Sequence, residues 1–345
     1  MTPAQLSRTV LHTVRRAVED DELCVTVPER VKVRTPPRPG CGDYATNVAL
    51  QLARGDRGDR GERGDGGDPL RIAEILRRRL VRTPGIARVD IAAPGFLNIT
   101  LDAGSHGSLV ATVLAQGAGY GYGEGLAGER VRFAAGTAGG DIRTALVAHV
   151  VRGLVTVCGG RTADDGPGGE VLTVRAVGVT ADALLIRLGP DAARWALLRP
   201  AAHDLPDLDP GRLLSQREAN PLFRVRYAHA RARAVLRNAH DLGVDSEPDE
   251  AGYEHPAETA LLAPLGDFPR TIEAAARDRA PDRLVRHLVA TADAFFRFHD
   301  TCPPLPRGEQ KPSAVHRSRT ALAEAAGTVL ANGLHLLGIT APEHL

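Results

Sequence analysis

Lysine is almost absent from this chain, and so is methionine. Lys32 and Lys311 are the only lysines among 43 lysines and arginines, and Met1 is the only methionine. A P-loop needs a lysine just after its glycines to reach the phosphates, and neither lysine stands in such a run. The four cysteines, Cys24, Cys41, Cys158 and Cys302, form no C-x-x-C pair. A chain of 345 residues can build real cores without disulfide staples, so reduced thiols in a cytoplasmic setting are expected. The 12 histidines show no H-E-x-x-H and no Cys/His clustering, so neither a metal nor a cofactor is expected. No apolar run approaches the ~20 residues of a membrane span, and the N-terminus lacks the apolar stretch of a secretory signal. No membrane partner is expected. The net charge of +1 gives no global pull toward a polyanion, so any such site is local.

What is present reads as two or three soluble domains. Leu6, Val10, Leu11, Val14 and Val18 recur at helical spacing over 4–20. "CVTVPERVKV" (24–33) alternates like a strand broken at Pro28. "DYATNVALQLA" (43–53) reads as a helix with Asp43 near its start, and "PLRIAEILRRRLVR" (69–82) as another opened by Pro69. "IARVDIAAPGFLNITL" (86–101) reads as two strands around Pro94-Gly95. This is an α+β N-terminal domain over 1–118. Within it, Gly55, Gly58, Gly61, Gly64 and Gly67 punctuate a charge-balanced tract with no large apolar residue. Residues 54–68 are therefore expected to be a disordered insertion.

"QGAGYGYGEGLAG" (116–128) reads as a hinge or linker. Residues 129–160 read as strand, Gly-rich turn and helix, and 169–179 as one or two more strands. The turn "AGTAGG" (135–140) superficially resembles a phosphate cradle, but a tight βα turn explains it equally, and Asp141 would repel an anion there. From 181 the chain is helical: "ADALLIRLGPDAARWALL", then 220–241, 256–264, 269–278, 281–301 and 315–337. The C-terminal part, 201–345, is read as an all-α helical bundle.

"NPLFRVRYAHARARAVLRN" (220–238) carries five arginines and no acid. Asn220 can cap and Pro221 suits the first helical position. Val225, Ala228, Ala232, Val235 and Leu236 share the core face. Arg224, Tyr227 and Arg231 form one flanking stripe, and Arg226, Arg233 and Arg237 another. Guanidinium forks beside an aromatic ring suit RNA, phosphates taking the arginines and an unstacked base the ring. A solvated basic face neutralised by acids such as those in 245–258 is the rival reading, and composition leaves both open. His299 and Asp300 near Cys302 are adjacent in sequence only, which makes no catalytic constellation.

In order along the chain, these stretches resemble arginyl-tRNA synthetases. "GDYATNVALQLA" with "PGFLNITL" is similar to that family's D-arm-binding domain. "GPDAARWALL" (189–198), "DLDP" (207–210), "NPLFRVRYAHARARAVLRNA", "FFRFHDTCPPL" (295–305) and "NGLHLLGITAPEHL" (332–345) are similar to its G-x-D-A-x-R segment and DALR-type anticodon-binding bundle. The resemblance implies tRNA as partner, an arginine isoacceptor. It implies Phe96 and Asn98 as D-arm contacts and Tyr227 and Arg231 as anticodon contacts; Arg224, on the same stripe, is expected to add a phosphate contact. Arg224 and Arg226 stand where the family carries an aromatic and a Gln, and Leu345 stands where it usually ends in Met. The departures extend to catalysis. No His lies between His106 and His149, and with Met1 the only methionine no K-M-S-K exists. The region 129–200 is then a truncated remnant of the family's nucleotide-binding domain, with no catalytic residue expected. The leading expectation is non-enzymatic tRNA binding. A regulatory scaffold that contacts protein and not RNA, or another enzyme using the middle region, are the alternatives.

Overall fold

The computed structural model describes residues 1–34, 36, 41–55, 67–134, 141–163, 167–248 and 253–345. Most of the glycine tract 54–68, the "AGTAGG" turn and part of the acidic stretch 245–258 lie outside the described residues. The chain forms two compact units, Met1–Leu109 with Asp249–Glu254, and Val110–Pro248 with His255–Leu345.

In the first unit, α1 (Pro3–Glu19) opens with a capping box in which Thr2 and Gln5 satisfy each other's backbone N–H. Its apolar face, Leu6, Val10 and Val14, is fully buried. The alternation over 24–33 gives only a short strand, β1 (Val33–Arg34), paired with β2 (Tyr44–Thr46). Pro28 has no N–H to give a ladder, which ends the pattern's claim to a longer strand. Asp43 does not start a helix as expected. It precedes β2, and its carboxylate accepts the Leu101 N–H at 2.8 Å. The helix α2 (Val48–Gly55) begins later. Asp68 caps α3 (Pro69–Leu80), with Pro69 in its first turn as the sequence suggests. β3 (Ile86–Ala92) and β4 (Phe96–Leu101) form the hairpin expected around Pro94-Gly95. The sheet order is β1-β2-β4-β3, antiparallel throughout. Leu97, Ile99 and Leu101 point into the core with Ile72 and Leu76, leaving Phe96, Asn98 and Thr100 on the other face.

The helix α4 (Ala103–Gln116) carries the chain across the boundary into the second unit. The glycine-rich stretch after it is no free linker. Tyr120 is 1% exposed and its hydroxyl donates to Leu265 O at 2.8 Å. Asn332 Nδ2 donates to the carbonyls of Gly117 and Tyr120, at 2.8 and 3.2 Å. Gly121, at φ +104°, passes so close to Ile272 that a Cβ would sit 2.6 Å from its Cδ1. Gly121 thus serves close approach rather than freedom.

A minimal βαβ unit follows: β5 (Arg130–Val131), α5 (Ile142–Val157) and β6 (Arg161–Thr162), with the two strands parallel. A parallel bridge, Phe133 to Glu170, extends it by one step, but residues 171–179 form no strand. The Arg143 side chain is fully buried within this unit and forms no ion pair among the described residues. It donates to the carbonyls of Leu197 (3.0 Å), Asp204 (2.6 Å), Arg175 (3.2 Å), Pro200 (3.0 Å), Ala201 (2.8 Å) and Ala202 (3.4 Å). One guanidinium thus ties α5 to the end of α6 (Ala181–Leu198) and to the loop beyond it. α6 is not continuous as its sequence pattern suggests: Gly189 at φ +70° and Pro190 break it.

After the short α7 (Pro210–Leu213) come the bundle helices α8 (Pro221–Asp241), α9 (Pro256–Arg277), α10 (Asp282–Thr301) and α11 (Ala314–Leu336). The prolines at 264 and 269 suggest two helices; the chain makes one. Pro269 has no N–H to give the Leu265 carbonyl four residues back, and the Tyr120 hydroxyl takes that carbonyl instead. Buried Leu261, Leu265, Phe268 and Ile272 then hold the helix together.

Candidate nucleic-acid interface

Asn220 caps α8 as expected, accepting from Leu222 N at 3.1 Å while its amide donates to the carbonyls of Leu213 and Ser215. Val225, Ala228, Ala232 and Val235 are buried, and Leu236 is half-buried. The buried face is wider than the pattern predicts, since His229 and Ala230 are buried too. The cause is the C-terminal tail beside His229, whose Nδ1 lies 2.8 Å from Pro342 O. Burial holds the His229 pKa below the usual imidazole value, which suits a neutral ring donating to that carbonyl.

The same tail engages the stripe Arg226, Arg233 and Arg237. Arg233 Nη2 is 3.1 Å from Glu343 Oε1, and Arg237 Nη1 donates to Glu343 O at 3.3 Å. Arg226 faces Asp191 at 3.7 Å, and Asp191 also binds the Thr340 hydroxyl. The acids that neutralise this face therefore come from α6 and the tail. Glu247 and Glu258, from the acidic stretch 245–258, pair instead with Arg317 and Arg319 on α11, each at 2.7 Å.

The other stripe is arranged differently. The Tyr227 ring lies 5.6 Å from Phe223 at 8° and 5.6 Å from Phe296 of α10 at 27°. It is held by parallel aromatic packing, yet remains 36% exposed. Arg224 is half-buried, with Nε 2.5 Å from Asp293 Oδ1 and its guanidinium carbon 4.9 Å above the Phe296 ring. Arg231 is exposed and forms no ion pair among the described residues. It lines a pocket of about 220 Å³ with Asn238 of α8, His299 of α10 and the Pro303–Arg307 loop. Burial, then the neighbouring Arg231 cation, hold the His299 pKa down against the opposing pull of Asp300. The result is a half-open pocket with a proline floor, a neutral ring and two guanidinium groups, Arg231 and Arg307. Sequence reasoning missed His299, Asn238 and the loop as wall residues; the proline run directly after a helix end was the available signal.

In the first unit, Phe96 is 39% exposed at the start of β4 and Asn98 is half-buried two residues on, on the same sheet face. Gly95 at φ +141° brings the hairpin backbone against Pro69, where a Cβ would meet the proline at 3.0 Å. Phe96 is thereby presented outward from a rigid turn. Among the described residues no group of histidines, cysteines and carboxylates could hold a metal ion.

The chain therefore combines an antiparallel sheet domain, a small βαβ unit and an α-helical bundle. Residues 5–101 match the family described as Arginyl tRNA synthetase N terminal domain, and residues 225–345 the DALR anticodon binding domain. The chain thus carries two domains of the arginyl-tRNA synthetase family. Curated relatives named arginine–tRNA ligase, from Frankia alni and Renibacterium salmoninarum, are each 26% identical over the whole of both chains. The first alignment spans 561 positions against 345 residues, so more than a third of its positions face no residue here. The fold is shared with the arginyl-tRNA synthetase of Thermus thermophilus, at TM-score 0.73 and 14% identity over all of both chains. It is shared also with that of Plasmodium falciparum, at TM-score 0.70 and 8% identity over 99% of each.

Proposed function

We propose that this chain binds tRNA, first of all an arginine isoacceptor, without charging it. The observation that carries the reading is the exposed Tyr227 beside the unpaired Arg231, on the domain that matches the anticodon-binding family. Among the described residues the other arginines of α8 are engaged by acids or by the tail and Arg231 forms no ion pair, which leaves it to meet a phosphate or a base edge. Phe96 and Asn98 are the corresponding contacts proposed for the N-terminal domain.

Loss of amino-acid activation is the second part of the proposal. K-M-S-K cannot exist in this chain, and no histidine precedes α5 in its turn. At the head of α5, where a helix N-terminus could take a phosphate, stands the Asp141 carboxylate. Its oxygens accept from Arg143 N and Val177 N, each at 3.0 Å. This internal anion occupies the donors and repels a second anion. Purified protein with ATP, arginine and tRNA is expected to give no arginine-dependent pyrophosphate exchange above blank, and millimolar ATP no rise in melting temperature beyond that of matched salt. Sustained exchange would overturn the non-catalytic reading.

A protein partner is a second reading, favoured by apolar side chains left bare in the middle region. Ile186 is 85% and Val171 73% exposed, with Leu185 also open to solvent.

A further inference from the structure

We infer that Arg224 and Asp293 are a positioning pair that sets the Tyr227 ring for RNA, and that Arg224 does not itself take a phosphate. This rests on the proposed tRNA binding and assigns roles within that site. Asp293 and Phe296 lie three residues apart on α10, as do Arg224 and Tyr227 on α8, so each pair shares a helix face. The four side chains meet between the helices in a chain of contacts. Asp293 Oδ1 holds Arg224 Nε at 2.5 Å, the Arg224 guanidinium covers Phe296 at 4.9 Å, and Phe296 lies 5.6 Å from Tyr227. Phe223 completes the support on the α8 side, its ring nearly parallel to Tyr227.

The charge around Arg224 argues against a phosphate contact. Its Nη1 also lies 3.6 Å from Glu218 Oε2, so one cation faces two carboxylates and the local sum is negative. A phosphate approaching this guanidinium would meet Asp293 and Glu218 as well. Arg231, on the same stripe, pairs with no acid among the described residues. The sequence places both arginines together; the structure separates a contact from a support. A planar guanidinium that can pair edge-on with a carboxylate and lie flat on a ring suits the support, which a lysine could not reproduce.

The test uses the full chain and an unmodified tRNA-Arg transcript, with affinity measured across a salt series. Asp293→Asn removes an anion and frees a guanidinium, so simple electrostatics predicts tighter binding. The positioning role predicts the reverse: about tenfold weaker binding, of the size found when contacting residues are uncoupled, with the salt slope unchanged. Arg224→Ala should weaken binding similarly, also without changing the slope. In a Tyr227→Ala background, Asp293→Asn should have no further effect, because it acts through that ring. A general packing defect would still weaken binding there, and that result overturns the proposal. So does tighter binding by Asp293→Asn, or a slope flattened by about 0.7 in Arg224→Ala, the mark of one lost phosphate contact on an unpaired strand. If the parent chain binds no transcript, the tRNA reading itself fails and this proposal with it; if the parent binds and Asp293→Asn binds tighter, only the positioning role fails.

Discussion

Arg231→Ala should lower the affinity for a tRNA-Arg transcript by about tenfold or more. A charge-assisted hydrogen bond contributes roughly 1.5–3 kcal/mol net, and every 1.4 kcal/mol is about tenfold in affinity. The effect should be large because Arg231 has no competing carboxylate to release and sits on a pocket wall shared with Arg307 and His299. The salt slope should flatten by about 0.7 if the contact is to a phosphate of an unpaired strand, and keep its value if the contact is to a base edge. Tyr227→Ala should produce a loss of similar size, since stacking of a base on an aromatic ring contributes about 1–3 kcal/mol. Arg233 is a poor comparator because it holds Glu343 of the tail. Arg283 is better: it pairs with Asp278 and stands sixteen residues before His299, about 24 Å along α10. Arg283→Ala should bind within twofold of the parent. Unchanged binding by Arg231→Ala, with the fold intact, would make the basic helix a solvated face.

Arg143→Ala should be the most destabilising single change in the second unit, by on the order of 4 kcal/mol or more. The substitution leaves the carbonyls of Leu197, Arg175, Pro200 and Asp204 without this donor, while those of Ala201 and Ala202 keep the Asp204 and Arg175 N–H, and it opens a cavity where the buried side chain lay. Each orphaned group costs about 1–3 kcal/mol, though water entering the cavity would recover part of the sum. Arg143→Lys should recover little, because an ammonium has three donors and no fork to span α6, its following loop and Arg175. Urea unfolding followed by far-UV circular dichroism measures the loss. A change below about 1 kcal/mol would mean that these carbonyls are satisfied without Arg143, and the guanidinium would not be what joins α5 to α6.

Local chemistry was legible in the sequence; long-range compensation was not. Asn220-Pro221 announces the start of α8 and Pro69 that of α3, and both stand where expected. The hairpin at Pro94-Gly95 was equally readable, because turn residues act on their own backbone. Pro264 and Pro269 misled for the opposite reason. The rule that proline ends a helix is local, and the Tyr120 hydroxyl that overrides it lies 145 residues away. Tyr120 itself sits in a glycine-rich run whose composition reads as a linker, although Gly121 is there to let the chain touch Ile272.

The candidate site divides in the same way. Helical spacing put Arg224, Tyr227 and Arg231 on one stripe, and the structure keeps them there. Spacing could not show that Asp293, 69 residues on, claims Arg224, or that Asp191 and Glu343 claim the other stripe. Ion pairs between elements leave no periodic trace in a single sequence. The pocket beside Arg231 was hidden because its far wall is a loop after α10, and a loop's position depends on the helix that delivers it.

The most direct measurement offers the purified full chain total tRNA at low and near-physiological salt and sequences what is retained. The account predicts saturable retention enriched in arginine isoacceptors, reduced by Tyr227→Ala and Arg231→Ala. No retention even at low salt, or retention that both substitutions leave untouched, would contradict it.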